Sequence, residues 1–213
     1  MKSNLSFCYR LVCWFFKLIF KRAYKGKLYG IENIPATGGF ILAGNHVSYL
    51  DPPLIAVHAS RQPVYSFARQ TLFKRGIAWF FRRLYMIPVD RDKGSDIRSI
   101  KQVLKLLAEG NPVQMFPEGT RSPTGLPQRP KKGIGLFVSK SKAPVVPVRI
   151  FGTYEAWPKG AKWPNFKPHM AIVFGKPISY EELAAEAQGQ ADPMQAISDR
   201  IMQEIARLKR PQD

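Results

Sequence analysis

His46 and Asp51 are the first residues in this chain whose types and spacing could do chemistry. A neutral imidazole is a natural general base near neutral pH, and a carboxylate can hold one ring nitrogen so that the other accepts a proton. His46 follows an apolar run and precedes Pro52 and Pro53, which predicts that it lies at a turn from a strand into a helix. Asp51 then lies about one helical turn further on, within reach of the ring. The pair suits removal of a proton from a substrate hydroxyl group, as in a serine-hydrolase triad whose serine is replaced by the substrate.

A second group of polar residues follows another apolar run. Phe-Pro-Glu-Gly-Thr-Arg occupies residues 116–121, so we expect Arg121 at the same end of a sheet as His46. A guanidinium can donate paired hydrogen bonds to a phosphate. Arg91, just past a third short apolar run, offers a second cation, although it could also be a solvated arginine beside Asp90 and Asp92.

These motifs resemble those of the glycerolipid acyltransferase family. The resemblance covers residues 28–178 and also rests on Ile-Pro-Val-Asp-Arg at 87–91 and Val-Val-Pro-Val at 145–148, in that order. It is closest to bacterial-type members that acylate lysophosphatidic acid. It implies an enzyme that moves a fatty acyl group from acyl-CoA or acyl-carrier protein directly to the sn-2 hydroxyl of 1-acylglycerol-3-phosphate, which gives phosphatidic acid. Glycerol-3-phosphate or another lysophospholipid is the alternative acceptor.

The same resemblance implies a role for each motif residue. His46 and Asp51 are then catalytic, and Arg91 and Arg121 hold the acceptor's phosphate. The remaining substrate-binding candidates are Glu118, Gly119 and Thr120 around the glycerol, and Lys132 as a further phosphate contact. No cofactor is implied, because the acyl donor is a co-substrate.

No metal site is predicted. His58 and His169 have no partners at metal-ligand spacing, and the chain has no cluster of cysteine and histidine. Cys8 and Cys13 lie in one apolar segment at a spacing that does not favour a disulfide on a helix, so a reducing compartment is the default.

The apolar pattern predicts a mixed α/β fold with a central sheet flanked by helices. At 213 residues and 45% hydrophobic, the chain is long enough for one compact domain, which we place at residues 27–213. The predicted strands are Phe40–Ala43, Pro63–Phe67, Pro112–Phe116, Val145–Ile150 and Met170–Phe174. The predicted helices run from Ser95 to Gly110, from a capping box at Ser179 and Glu182, and from Asp192 to about Leu208.

The charge predicts an anionic partner, which composition alone does not identify. The formal net charge is +18, from 33 basic and 15 acidic residues. Nucleic acid, an anionic lipid surface and an acidic protein all fit, and a basic module without catalysis is the rival to an enzyme. Two stretches, residues 73–83 and 157–167, mix aromatic and basic residues, which is typical of a membrane interface as well as of nucleic-acid binders. A water-insoluble substrate favours the membrane, and we expect no nucleic acid partner.

The N-terminal segment favours the same partner. Leu5 to Tyr24 is rich in apolar residues, but Arg10 and Lys17 interrupt it, so it lacks the run of about 18 apolar residues expected of a spanning helix. Wound as a helix, it has a wide apolar face and a cationic stripe. We interpret residues 1–26 as an amphipathic helix on the cytoplasmic face of a membrane, in a monotopic protein; a core helix is the alternative.

Overall fold

The computed structural model describes residues 5–59, 63–74, 76–89 and 97–211. Its strands are β1 (Lys27–Tyr29), β2 (Phe40–Gly44), β3 (Tyr65–Arg69), β4 (Met86–Val89), β5 (Pro112–Met115), β6 (Val145–Phe151) and β7 (Ala171–Phe174). Its helices are α1 (Phe7–Arg22), α2 (Asp51–His58), α3 (Ala78–Arg83), α4 (Ile97–Ala108), α5 (Gly133–Ser141), α6 (Thr153–Ala156), α7 (Tyr180–Ala187) and α8 (Pro193–Arg207).

Within the described residues the seven strands form one sheet in the order β1-β7-β6-β2-β5-β3-β4. Neighbours from β6 to β4 are parallel, whereas β7 is antiparallel to β6 and β1 is parallel to β7. The predicted mixed sheet is therefore confirmed, and each of the five predicted strands overlaps an observed one. The sequence analysis did not predict β1 or β4; β1, with three residues, is too short for a periodic pattern.

The sheet is covered on both faces. In β2, Ile41 and Ala43 join a core cluster with α4, α5, α7 and α8, while Phe40 and Leu42 join a second cluster with α1 and α2. All four side chains are fully buried. Burial on both faces explains why this strand reads as a continuous apolar run without alternation.

The helix signals read from the sequence agree with the structure where it describes them. The capping box of Ser179 and Glu182 starts α7, and the Asp192 side chain accepts a hydrogen bond from the Gln195 N–H at 3.1 Å at the start of α8. The predicted N-cap of α4, Ser95, lies outside the described residues. Helix α4 ends at Ala108, two residues before Gly110, whose φ of +82° suits a glycine.

Helix α1 leaves a row of large apolar side chains in solvent. Tyr9 and Phe20 are buried against the rest of the protein. The exposed side chains recur every three or four residues on one face of the helix: Phe7, Leu11, Trp14, Phe15 and Leu18. None of the described helices combines the length and apolar character that crossing a membrane requires.

Candidate active site

The carboxyl ends of β2 and β5 lie side by side. Their parallel register pairs Phe40 with Pro112, so the residues that follow both strands emerge at one edge of the sheet. Asn45 fixes the end of β2, because its amide accepts a hydrogen bond from the Ile150 N–H at 2.8 Å and donates one to the Ile150 carbonyl at 3.2 Å. The next residue, His46, turns away from the sheet at the edge where open α/β sheets place their ligands.

His46 and Asp51 are in contact. The Nδ1 of His46 lies 3.0 Å from Oδ2 of Asp51, and the Asp51 side chain is fully buried while that of His46 is 12% exposed. The same oxygen accepts hydrogen bonds from the backbone N–H groups of Val47 and Ser48, both at 2.6 Å. Fixed in this way, the carboxylate can hold a proton on Nδ1 and leave Nε2 as the acceptor.

The second motif holds His46 from three directions. The ring of Phe116 stacks on the imidazole, with centroids 4.1 Å apart and planes 22° apart, which restricts rotation of the imidazole. The His46 N–H donates to Oε1 of Glu118 at 2.9 Å, and the His46 carbonyl accepts from the Ser122 N–H at 2.8 Å. The two motifs therefore form one rigid unit around the base.

Both carboxylate oxygens of Glu118 accept hydrogen bonds from donors within the protein. Oε2 accepts from the backbone N–H and the side-chain amide of Gln128, each at 3.2 Å. Burial raises the pKa of the Glu118 carboxyl above its ordinary value of 4.5, and the hydrogen bonds from His46 and Gln128 only partly offset that effect. Glu118 thus joins the loop of residues 122–132 to His46. Sequence reasoning missed Gln128, which stands in a loop with no periodic pattern.

Gly119 makes the turn between Glu118 and Arg121 possible. Its φ is +68°, and a methyl group at this position would come within 3.0 Å of Cδ of Lys131. The side chain of Lys131 therefore runs beside the turn, while the predicted phosphate contact, Lys132, stands at the start of α5; both lysines are exposed. Thr120 is exposed at the same turn. The sequence analysis named Lys132 and missed the adjacent Lys131, because only the fold shows which of the two side chains runs beside the turn.

Arg121 has an unpartnered donor. Its Nη1 is buried and has no hydrogen-bond partner among the described residues. Its guanidinium carbon lies 3.5 Å from the centroid of the Tyr49 ring. A buried guanidinium nitrogen without a partner is costly, so this group is suited to receiving an anion. The other predicted cation, Arg91, lies outside the described residues, and its assignment stays a prediction.

The described residues contain no group of three or more histidine, cysteine, aspartate or glutamate side chains that could hold a metal ion. His58 is buried in α2 and donates from Nδ1 to the Leu54 carbonyl at 2.8 Å, while burial lowers its pKa. It packs on Phe20 of α1, with ring centroids 4.3 Å apart. His58 is thus a core residue.

Comparison with known proteins gives concordant matches. A family model described as Acyltransferase matches residues 25–151. The chain is 30% identical to the 1-acyl-sn-glycerol-3-phosphate acyltransferase of Bacillus subtilis, over 88% of this chain and 89% of that one. It is 31% identical to a chloroplastic enzyme of the same name from Brassica napus, over 73% of this chain but 45% of the relative. The crystal structure of the 1-acyl-sn-glycerophosphate acyltransferase of Thermotoga maritima superposes with a TM-score of 0.67 at 25% identity, covering 99% of this chain and 86% of that one.

Proposed function

Because the chain belongs to the acyltransferase family, we propose that it transfers a fatty acyl group from acyl-CoA or acyl-carrier protein to the sn-2 hydroxyl of 1-acylglycerol-3-phosphate, giving phosphatidic acid. The names of the relatives support this acceptor. The observation that carries the proposal is the juxtaposition at one sheet edge of the His46–Asp51 pair, 3.0 Å apart, and Arg121, with a buried unpartnered nitrogen. One is a general base for a hydroxyl, and the other is a cation for the phosphate of the same molecule.

In the proposed reaction His46 moves a single proton. Nε2 of His46 accepts the hydroxyl proton as the oxygen attacks the thioester carbonyl carbon, which forms a tetrahedral intermediate. When this intermediate collapses, the carbon–sulfur bond breaks and the leaving thiolate takes the proton from Nε2. Asp51 holds Nδ1–H throughout and stabilises the imidazolium, while the stack on Phe116 keeps Nε2 directed toward the substrate. The ester oxygen comes from the acceptor, so no acyl-enzyme is needed.

We also propose that the protein lies on the cytoplasmic face of a membrane without crossing it. Helix α1 exposes five large apolar side chains on one face, with Arg10 and Lys17 exposed beside them. Two further exposed segments adjoin α1. At its start the Ser6 hydroxyl donates to the carbonyl of Arg83 in α3, the helix that carries the exposed Trp79. Just past its end Tyr24 stacks on the exposed Phe166, with ring centroids 5.4 Å apart. Aromatic and basic residues around an apolar face are typical of binding to an anionic bilayer.

The direct test is a panel of substrates with the purified full-length protein. Three acceptors, 1-acylglycerol-3-phosphate, glycerol-3-phosphate and a lysophospholipid with a larger headgroup, are each combined with acyl-CoA and with acyl-carrier protein. We expect the highest kcat/KM for 1-acylglycerol-3-phosphate, with radiolabelled phosphatidic acid as the product. Preference for another acceptor would replace the proposed substrate, and no turnover with any combination would favour a binding module.

A further inference from the structure

Tyr49 has no part in the mechanism above, although it lies inside the His46–Asp51 motif. It is a large aromatic side chain, 49% exposed. The Arg121 guanidinium lies over its ring, with Cζ 3.5 Å from the ring centroid. A cation over an aromatic face at this distance is an attractive contact. Tyr49 thus links the motif that supplies the base to the motif that supplies the cation.

The Tyr49 ring also packs against a second aromatic side chain. Trp157 packs on it, with centroids 5.5 Å apart and planes 52° apart. Trp157 is fixed in turn, because its indole N–H donates to the Ala161 carbonyl at 3.0 Å and its own carbonyl accepts from the Ser48 hydroxyl at 2.7 Å. The ring of Tyr49 therefore has a defined position between a fixed indole and the guanidinium.

Stacking leaves the hydrogen-bonding edge of a guanidinium available. The five N–H donors of arginine lie in the plane of the group, whereas an aromatic ring contacts its face. The buried Nη1 of Arg121, which lacks a partner among the described residues, belongs to this in-plane edge. Without the ring, the long side chain would sample many rotamers, and binding an anion would cost the conformational entropy of ordering it.

We infer that Tyr49 is a positioning residue, which holds the Arg121 guanidinium in place so that its edge can make paired hydrogen bonds to the phosphate monoester of the acceptor. The inference rests on the proposed function, in which Arg121 binds that phosphate. It requires the aromatic ring and not the hydroxyl group. Tyr49 acts through Arg121 and does not touch the reacting atoms.

The test is a double-mutant cycle with Tyr49→Phe, Tyr49→Leu, Arg121→Ala and the Tyr49→Leu/Arg121→Ala double variant. Apparent KM for 1-acylglycerol-3-phosphate, apparent KM for the acyl donor and kcat are measured for each. Tyr49→Phe should stay within about twofold of the unmodified protein, since the ring is retained. Tyr49→Leu should raise the acceptor KM by about 2- to 30-fold, the range that corresponds to a cation–π contact. The donor KM should not change.

The double variant separates a positioning role from a general structural one. If Tyr49 acts through Arg121, the double variant should have the acceptor KM of Arg121→Ala alone. Three outcomes would overturn this inference alone. They are additive effects of the two substitutions, equal rises in both KM values, and an acceptor KM that is raised in Arg121→Ala but unchanged in Tyr49→Leu. An unchanged acceptor KM in Arg121→Ala would overturn the phosphate assignment and Tyr49's role with it. Thermal unfolding of all variants identifies a loss of folding.

Discussion

At the scale of single residues, all three hydrogen bonds that Asp51 accepts within the described residues use one oxygen. Oδ2 accepts from His46, Val47 and Ser48, while Oδ1 is buried without a described partner. An asparagine can therefore place its carbonyl oxygen on the same three donors. Asp51→Asn changes the charge beside the imidazole more than the geometry.

We predict that His46→Ala lowers kcat by about 10²- to 10⁴-fold, the usual contribution of a general base, without weakening vesicle binding. Asp51→Asn should lower kcat by about 10- to 10³-fold, because a carboxylate about 4 Å from a forming imidazolium stabilises it by up to about 4 kcal/mol at an effective dielectric constant near 20. Single-turnover acyl transfer measures both. A rate in His46→Ala equal to that of the unmodified protein would remove His46 from the mechanism.

Two adjacent lysines provide a matched pair of variants. Both are exposed, but the side chain of Lys131 runs beside the Gly119 turn, whereas Lys132 stands at the start of α5. We predict that Lys131→Ala raises the acceptor KM by about 2- to 10-fold, as expected for loss of one hydrogen bond to a charged group at a solvated site, and that Lys132→Ala does so less. The measurement is the acceptor KM with the donor saturating. The opposite order would favour Lys132, the residue that the family resemblance implies.

At the scale of elements, Glu118 connects three segments of the chain. Its carboxylate joins the loop after β2, the turn after β5 and the loop that precedes α5, through His46 and Gln128. An amide cannot replace it, because a glutamine offers one acceptor oxygen and one NH2 group. Either orientation of that amide sets donor against donor at one of the two contacts.

We therefore predict that Glu118→Gln lowers the free energy of unfolding by about 1–3 kcal/mol, the cost of a buried donor left unsatisfied, and also lowers kcat, because the backbone of His46 loses its fixed position. Gln128→Ala should lower kcat less, because the backbone N–H of residue 128 still reaches Oε2. Steady-state kinetics at saturating substrates checks the order of the two variants. A larger loss in Gln128→Ala than in Glu118→Gln would show that the amide side chain has a role of its own.

The elements also show what the sequence could and could not predict. The contact between His46 and Asp51 was predictable, because five residues at a strand-to-helix turn leave few conformations. The strands after which both motifs stand were predictable, because they are fully buried runs. The partners of Glu118 and the ring under Arg121 were not, since Gln128 lies in an irregular loop and the contact from Tyr49 depends on how two distant loops pack. The order of the sheet likewise follows from tertiary packing and leaves no periodic signal.

At the scale of the whole molecule, α1 contributes both to the core and to an exposed apolar face. Phe20 fills the core over α2, with Leu54 and Ile55 in the same cluster, while Leu11, Trp14 and Phe15 are exposed. Deleting the helix would remove both the proposed membrane contact and part of the core. Substitution of exposed residues alone is therefore the sharper experiment.

We predict that a Leu11→Ser/Trp14→Ser/Phe15→Ser triple variant loses binding to anionic vesicles in high salt but retains some in low salt. The apolar contact is insensitive to salt, whereas the remaining attraction of the basic surface is screened, with a Debye length of about 8 Å at physiological ionic strength. Vesicle sedimentation at two salt concentrations measures this. Ile97→Ser, an exposed position on α4 at the opposite face of the sheet, is the control and should bind as the unmodified protein does. Release of the unmodified protein by salt alone would contradict the proposed contact.

In the proposed membrane-bound protein, the packing of α1 on α2 sets how far above the bilayer surface an acceptor must extend to reach His46. The Phe20 ring of α1 rests on His58 of α2, and α2 begins at Asp51. The axes of two packed helices are about 8–10 Å apart. If α1 lies at the bilayer surface as proposed, we expect the base to stand about one helix diameter above that surface. A lysophospholipid can then keep its tail among neighbouring lipids while its glycerol reaches His46. If this arrangement holds, acceptor and product reach and leave the site by lateral diffusion in the bilayer, and we expect the rate to follow the mole fraction of acceptor in the surface rather than its bulk concentration.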